Sequence, residues 1–475
     1  MLTGTNRRLK IEGKKECSLS EIKACIGIEI LCSILNIRVL RDCWSQNPFV
    51  GNRGIQDSMG RDRYILIRSH LTFNVENVNP LDKLNDPLWF IRRLLRHFLN
   101  ISTSLDVPTG CMTLDEATMP SRARNTAVSY IPSKPQKYGV RFYLIVGSKY
   151  QYIFTMYDNG RGHIRYKTLP LCLRYLDSVN MVRSPLARAC NLKKSIVPID
   201  SASALWCAMN AHIHYSAPMN SITVIDSVHR YLYVDNFYTR HSLAKSILGL
   251  TGSEIFLTGT VRLNFLDPYN KAQITNAFNK VDREDQVRGT WMLLPVYEEP
   301  KAGSKKHTRA PNCGYIVFKD NRTCLFYTNH LDGTPTKSMA QNNPDAIKLV
   351  RGIGTMHRFD KSTNSITKTV IPTPNIIVSY NKYMNNVDLV DQRRQATYKH
   401  RKDRKIYMNF LNLILDYEIN NAYALHRWVL DRAPNHTCKT KFPNLKSFKT
   451  EIGIQLCRDN YEFRQKSKIP KKGEN

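Results

Sequence analysis

Leu19, Ile22, Cys25, Ile26 and Ile30 recur three and four residues apart, the spacing of one face of an α-helix. Ser18 and Glu21 open that run as S-x-x-E, in which the serine side chain caps a backbone N–H and the glutamate returns the bond, so a helix is predicted to start there. Tyr64, Ile65, Ile67 and Leu71 predict a second helix over about 58–71. A third, over 88–98, carries Arg92, Arg93 and Arg96 on one side. Residues 1–17 are polar and basic and read as a loose segment. From Cys111 the pattern changes to short apolar runs at 112–114, 140–146, 152–156, 231–234 and 255–261, which predict five strands, the first ending on Asp115 and the fourth on Asp235. A helix over 242–248 separates the last two. Strands alternating with a helix, the first three joined by short links, predict an α/β layer with a sheet of mixed direction.

The rest of the chain is less regular. Residues 160–225 fit no strand order. Residues 265–370 hold charged, Gly- and Pro-bearing linkers around one hairpin-like unit, 315–318 and 324–327 about Asp320-Asn321, and read as a largely β insertion. Helix returns near Val378, and a long helix over 404–429, rich in Leu, Ile, Phe and Tyr, reads as a core helix of the α/β domain. From Arg432 the chain reads as a basic, extended tail whose last run, from Lys466 to Lys472, has the composition of a nuclear localisation signal. The organisation expected is a flexible basic N-terminus (1–17), a helical region (18–108), the first part of a catalytic domain (109–264), an insertion domain (265–370), the last part of the catalytic domain with a helical extension (371–431) and a basic tail (432–475).

Charge narrows the class of partner. Across 475 residues, 70 Lys and Arg face 39 Asp and Glu, a formal net charge of +31. Such an excess repels itself unless a polyanion neutralises it, and nucleic acid does so with release of counterions. The 12 cysteines include no C-x-x-C pair. They read as reduced thiols, and no structural zinc is expected: Cys207, His212 and His214 have no fourth ligand at a suitable spacing. No stretch is apolar enough over a sufficient length to span a bilayer, and no membrane partner is expected.

The candidate chemistry lies in carboxylates. Asp115 and Asp235 each follow an apolar strand, and in α/β sheets ligands bind at that edge. Val387-Asp388-Leu389-Val390-Asp391-Gln392 supplies a third element; if it is helical, Asp388 and Asp391 share a face. Like charges gathered together call for a cation, and hard divalent ions prefer carboxylate oxygens. Two such ions can activate an attacking oxygen and stabilise a leaving one in an in-line phosphoryl displacement.

The residues around these aspartates resemble the piggyBac transposases. The blocks are Leu114-Asp115-Glu116-Ala117 with Tyr130-Ile131-Pro132-Ser133-Lys134-Pro135-Gln136-Lys137-Tyr138-Gly139, then Val234-Asp235-Asn236-Phe237-Tyr238-Thr239, then Asn385-Asn386 with the Asp388 segment. Met59-Gly60-Arg61-Asp62-Arg63-Tyr64 through Phe73, and Gly259-Thr260-Val261-Arg262, complete five blocks in the family's order. The resemblance implies an RNase H-like catalytic domain interrupted by an insertion domain, with an N-terminal helical region for dimerisation and DNA binding. It implies a catalytic triad of Asp115, Asp235 and Asp388, with Asp391 close by as a further metal ligand, and two Mg²⁺ or Mn²⁺ ions. It also implies the reaction: water nicks one strand at the element's end, the freed 3′-hydroxyl attacks the opposite strand to leave a hairpin, and the reopened end joins a TTAA target. The partners implied are double-stranded DNA and a second copy of the chain, in the nucleus. Arg122, Arg124, Lys134, Lys137, Lys399, Arg401, Lys402, Arg404 and Lys405 read as phosphate contacts, which set register without reading sequence. The other reading is a transposase descendant that binds DNA without cutting it. No cysteine-rich zinc-binding stretch follows the long helix, where Cys438 and Cys457 are the only cysteines.

Overall fold

The computed structural model describes residues 1–73, 86–105, 110–132, 137–158, 230–250, 255–300, 303–331, 353–360, 367–397, 405–432 and 444–468. The helices of the N-terminal region are α1 (Leu2–Ile11), α2 (Leu19–Ile34), α3 (Arg53–Ser58), α4 (Arg61–His70) and α5 (Arg92–Leu105). The capping box forms as expected: the Glu21 N–H donates to Ser18 Oγ at 3.1 Å, and the Ser18 N–H donates to Glu21 Oε2 at 2.9 Å. Residues 2–11 are helical rather than loose. Gly4, Thr5 and Leu9 are buried there, a stripe with one hydrophobe in it, which explains why no apolar period announces the helix.

A sheet follows, built from β1 (Cys111–Pro120), β2 (Ser129–Tyr130), β3 (Tyr138–Gly147), β4 (Ile153–Asp158), β5 (Arg230–Val234), β6 (Ile255–Thr260), β7 (Trp291–Glu298), β8 (Thr308–Lys319) and β9 (Thr323–Thr328). Its order is β2-β3-β1-β5-β6-β9-β8-β7, with β4 also on β3. β1 pairs antiparallel with β3 but parallel with β5, and β5 is parallel to β6, so the direction is mixed as expected. β9 runs antiparallel to β6, which continues the same sheet into the strands of 265–370. Two further strands, β10 (Ile353–Asp360) and β11 (Thr367–Pro374), pair only with each other.

Helices cover both faces. α6 (His241–Leu250) and α7 (Pro268–Val281) pack on one side, where Leu114, Tyr143, Leu232, Ala244, Ile274 and Tyr315 share a core. α7 was not legible as a helix; Asp267 caps it and Pro268 occupies its first turn. After α8 (Asn375–Tyr383) come α9 (Asn386–Thr397) and α10 (Ile406–Arg432), and these lie on the other face with the N-terminal helices around Ala117, Phe142, Leu144, Val387, Phe410 and Ile414. α10 is the long core helix expected. Its Asn421 exchanges two hydrogen bonds of 2.8 Å with the Ile153 backbone, which satisfies β4 on its outer edge.

Two further expectations change. Arg92 does not belong to an exposed basic face: its guanidinium is largely buried between Asp86 and Asp158, with Nε on Asp86 Oδ2 at 2.6 Å. The tail beyond Arg432 is not extended over its described part but forms α11 (Leu445–Lys468), packed against α2. Its buried positions, Lys449, Gly453, Cys457 and Asn460, again hold only one hydrophobe. The end of the proposed localisation signal, 469–472, and the stretch 160–225 lie outside the described residues. Among the described residues no helix is long and apolar enough to cross a membrane.

α2 and α11 approach closely because Gly27 faces Gly453. A Cβ on Gly27 would stand 2.7 Å from both the Gly453 carbonyl oxygen and Cys457 Sγ. Gly27→Val therefore lowers stability by about 1–3 kcal/mol, the usual cost of overpacking, and hydrogen exchange of α11 should quicken before that of the sheet. Unchanged protection of α11 in a folded Gly27→Val chain would contradict this packing.

Candidate active site

β1 and β5 run side by side through four paired positions, Cys111 with Tyr231 up to Leu114 with Val234, and there the parallel ladder ends. The next residue on each strand is an aspartate. Asp115 stays in β1, paired with Leu144 of β3, and the strand continues to Pro120 instead of stopping at Asp115. Asp235 leaves β5 and begins a turn. Its Oδ1 accepts the Phe237 N–H at 2.8 Å, and its carbonyl accepts the Thr239 hydroxyl at 2.7 Å. Asp115 Oδ1 accepts the N–H of Glu116 at 2.7 Å. These bonds fix the plane of each carboxyl group.

The Asp235 turn can sit so close to β6 because residue 259 is glycine. A Cβ on Gly259 would lie 2.2 Å from Thr239 Oγ1 and 2.5 Å from the Val234 carbonyl. The Gly259-Thr260-Val261-Arg262 block thus has a steric reason.

Asp388 comes from α9. Asn386, buried at the start of that helix, donates to Thr113 Oγ1 and Ser148 Oγ at 2.9 Å each, which fastens α9 to β1 two residues before Asp115. In the sequence Asn386 stands inside the third family block without a role of its own; the signal for one is an amide residue opening a helix two positions before an aspartate. Asp388 itself is exposed. Asp391, one turn on, is held differently: Arg394 Nε and the Tyr417 hydroxyl each approach its Oδ1 at 3.4 Å.

Electrostatics link the three aspartates. Burial, reinforced by the charges of Asp235 and Asp388 and opposed by the Glu116 N–H, raises the Asp115 carboxyl from 3.8 to about 7. Asp235 is raised too, by burial first and by the charge of Glu116, against the bond from Phe237. Among the described residues none of the three has an ion-pair partner, whereas nearby Glu116 has Arg141 at 3.3 Å. Uncompensated carboxylates with hard oxygen donors fit a divalent cation. In their present side-chain positions, no three His, Cys, Asp or Glu among the described residues stand grouped for one ion, so binding requires them to converge.

The basic residues divide. Arg122, Arg124 and Lys137 are exposed beyond the end of β1 and the start of β3, beside the exposed rings of Tyr130 and Tyr138, whose centroids are 5.0 Å apart. Lys405 is exposed but turns back to donate to the Ser69 carbonyl at 3.3 Å, and Tyr407 packs there as well. Lys134, Lys399, Arg401, Lys402 and Arg404 lie outside the described residues.

A family model described as Transposase IS4 matches residues 1–202 and 224–423, most of the chain. The chain belongs to that transposase family. Among solved structures it is similar to a piggyBac transposase in a synaptic complex with hairpin DNA, determined by cryo-electron microscopy. The likeness has a TM-score of 0.65 at 17% identity and covers 99% of this chain and 79% of the other. No curated protein matches. At that identity the likeness shows the fold, and it bears out the expectation of an RNase H-like domain with an insertion for this transposase.

Because the Asp115 carboxyl is raised in the folded chain, the metal-free transposase holds this proton where the unfolded chain has lost it. The associated stability is fully present below pH 3.8 and is lost as pH rises to about 7. Thermal melting across pH 4–8 checks this: Asp115→Asn should flatten the decline. An identical pH profile in that variant would contradict the burial and charge described.

Proposed function

We propose that the chain is a DNA transposase that cuts and rejoins DNA by metal-assisted in-line phosphoryl transfer, with Asp115, Asp235 and Asp388 as metal ligands. The observation that carries this is the position, within a transposase-family chain, of Asp115 and Asp235 side by side at the end of one parallel strand pair, with no ion-pair partner among the described residues and with the charge of Asp388 acting on Asp115 from α9. Two divalent ions, Mg²⁺ or Mn²⁺, would supply charge neutralisation at the reacting phosphate and activation of the attacking oxygen. Asp115 and Asp235 would hold them from the sheet, with carboxyl planes set by the Glu116 and Phe237 N–H groups, and Asp388 would close the set from α9. Arg122, Arg124 and Lys137 would contact the DNA backbone; their exposure and the net charge of +31 support that reading. The same centre would serve each step in turn: hydrolytic nicking, attack of the freed 3′-hydroxyl on the opposite strand to give a hairpin, reopening, and joining to TTAA. The chain would act as a homodimer in the nucleus.

The test is cleavage of a duplex carrying the terminal repeats that flank the chain's own gene, with Mg²⁺, beside Asp115→Asn, Asp235→Ala and Asp388→Asn. Nicks and hairpins are expected from the native chain. Each variant should lose about a thousandfold in rate, roughly 4 kcal/mol of transition-state stabilisation, while keeping DNA affinity. DNA binding without any nicking by the native chain would establish the binding-only reading instead.

A further inference from the structure

We infer that Lys449, on the C-terminal helix, is a positioning residue for the carboxylate site, acting through a buried set of charges that holds α9; the inference rests on the transposase reading above. Lys449 Nζ donates to Asp416 Oδ1 of α10 at 2.5 Å, and the two side chains are only 3% and 8% exposed. Adjacent on α10, Tyr417 reaches Asp391 of α9, and so does Arg394, whose own side chain is 6% exposed. Arg394 interacts electrostatically with both aspartates, Asp391 and Asp416. Arg394, Asp416, Tyr417 and Lys449 together line a cavity of about 10 Å³, and Asp416 Oδ2 finds no protein partner there. Three helices thus meet on two cations and two anions in a place nearly shut off from water.

Such a set is held by balance. Lys449 neutralises Asp416, which leaves Arg394 to bind Asp391 within α9. Without Lys449, Asp416 would be a buried charge beside Arg394, a cation that already feels it, and would draw Arg394 away from Asp391. Two sets of polar contacts hold α9 on either side of Asp388: Asn386 on β1 at its start and the Asp391–Arg394–Tyr417 group past its middle. Loosening the second set lets the helix turn about the first and carries Asp388 away from Asp115 and Asp235. The same helix that brings Lys449 also bears Gly453, Cys457 and Asn460 against the N-terminal region, with Asn460 Nδ2 on the Ser58 carbonyl at 2.6 Å. Lys449 therefore adds one polar link between the helix packed on the N-terminal region and the helix that carries Asp388.

The test measures Mn²⁺ binding to the folded, DNA-free chain from the electron paramagnetic resonance signal of free Mn²⁺, with thermal melting alongside. Lys449→Met should bind Mn²⁺ about tenfold more weakly, the scale seen when groups orienting metal ligands are removed, and should need correspondingly more Mg²⁺ for nicking at unchanged DNA affinity. Asp416→Asn combined with Lys449→Met leaves no stranded charge and should return Mn²⁺ binding close to the native value. A merely structural Lys449 would lower the melting temperature and leave the Mn²⁺ affinity of the folded chain at the native value. If Lys449→Met fails to fold, Lys449→Gln, which keeps a donor for Asp416, is expected to weaken binding to a smaller extent. Native Mn²⁺ affinity in a folded Lys449→Met or Lys449→Gln chain, or absence of rescue in the double variant, overturns the inference alone. Absence of any Mn²⁺ binding in the native chain that Asp115→Asn abolishes overturns the metal reading, and this inference with it.

Discussion

Everything at the candidate site depends on the pairing of β1 with β5. Two parallel strands in register must place the residues that follow their last pair side by side, and here both of those residues are aspartates. Among the described residues neither has an ion-pair partner, the charge of Arg262 reaches Asp235 only as a minor influence, and burial and mutual repulsion hold Asp115 toward its protonated form. A fold that keeps such a pair stores an electrostatic cost. A divalent ion removes it, and a chain of +31 net charge that belongs to a transposase family has a use for that ion.

The surrounding structure can be understood as support for this pair and its third member. Gly259 lets the Asp235 turn close on β6. Asn386 fastens α9 to β1 through Thr113, so the helix carrying Asp388 and the strand carrying Asp115 move together. α10 fills the space behind α9 with Phe410, Ile414 and Tyr417 and also completes the β4 edge through Asn421. Helices cover both faces of the sheet, and Arg122, Arg124 and Lys137 stay exposed beyond the end of β1 and the start of β3.

Much of this was legible in the sequence where hydrophobes carry the pattern. The strands through Leu114, Val146, Met156, Val234 and Leu257 were read as apolar runs, and α10 as a long Leu- and Ile-rich helix. The Ser18–Glu21 box marked a helix start to the residue. What was missed is buried by other means. α1 turns Gly4, Thr5 and Leu9 inward, and α11 turns Lys449, Gly453, Cys457 and Asn460 inward, so close backbone approach and ion pairing replace the apolar stripe. Arg92 read only as one of three arginines on a helix side, because its partners, Asp86 and Asp158, come from a loop and from a distant strand. At the site, Asp115 and Asp235 were visible as residues following apolar runs and Asp388 within its helical segment, but the roles of Asn386 and Arg394 were not. Their roles exist only once α9 is laid on β1 and α10.

The claim at the centre of the account is that Asp115, Asp235 and Asp388 close around metal. Anomalous diffraction from crystals grown with Mn²⁺ and DNA tests it most directly. Manganese should be bound between the Asp115 and Asp235 carboxylates, with Asp388 turned in from α9 to complete the set. Manganese bound elsewhere, or bound without Asp115, would contradict it.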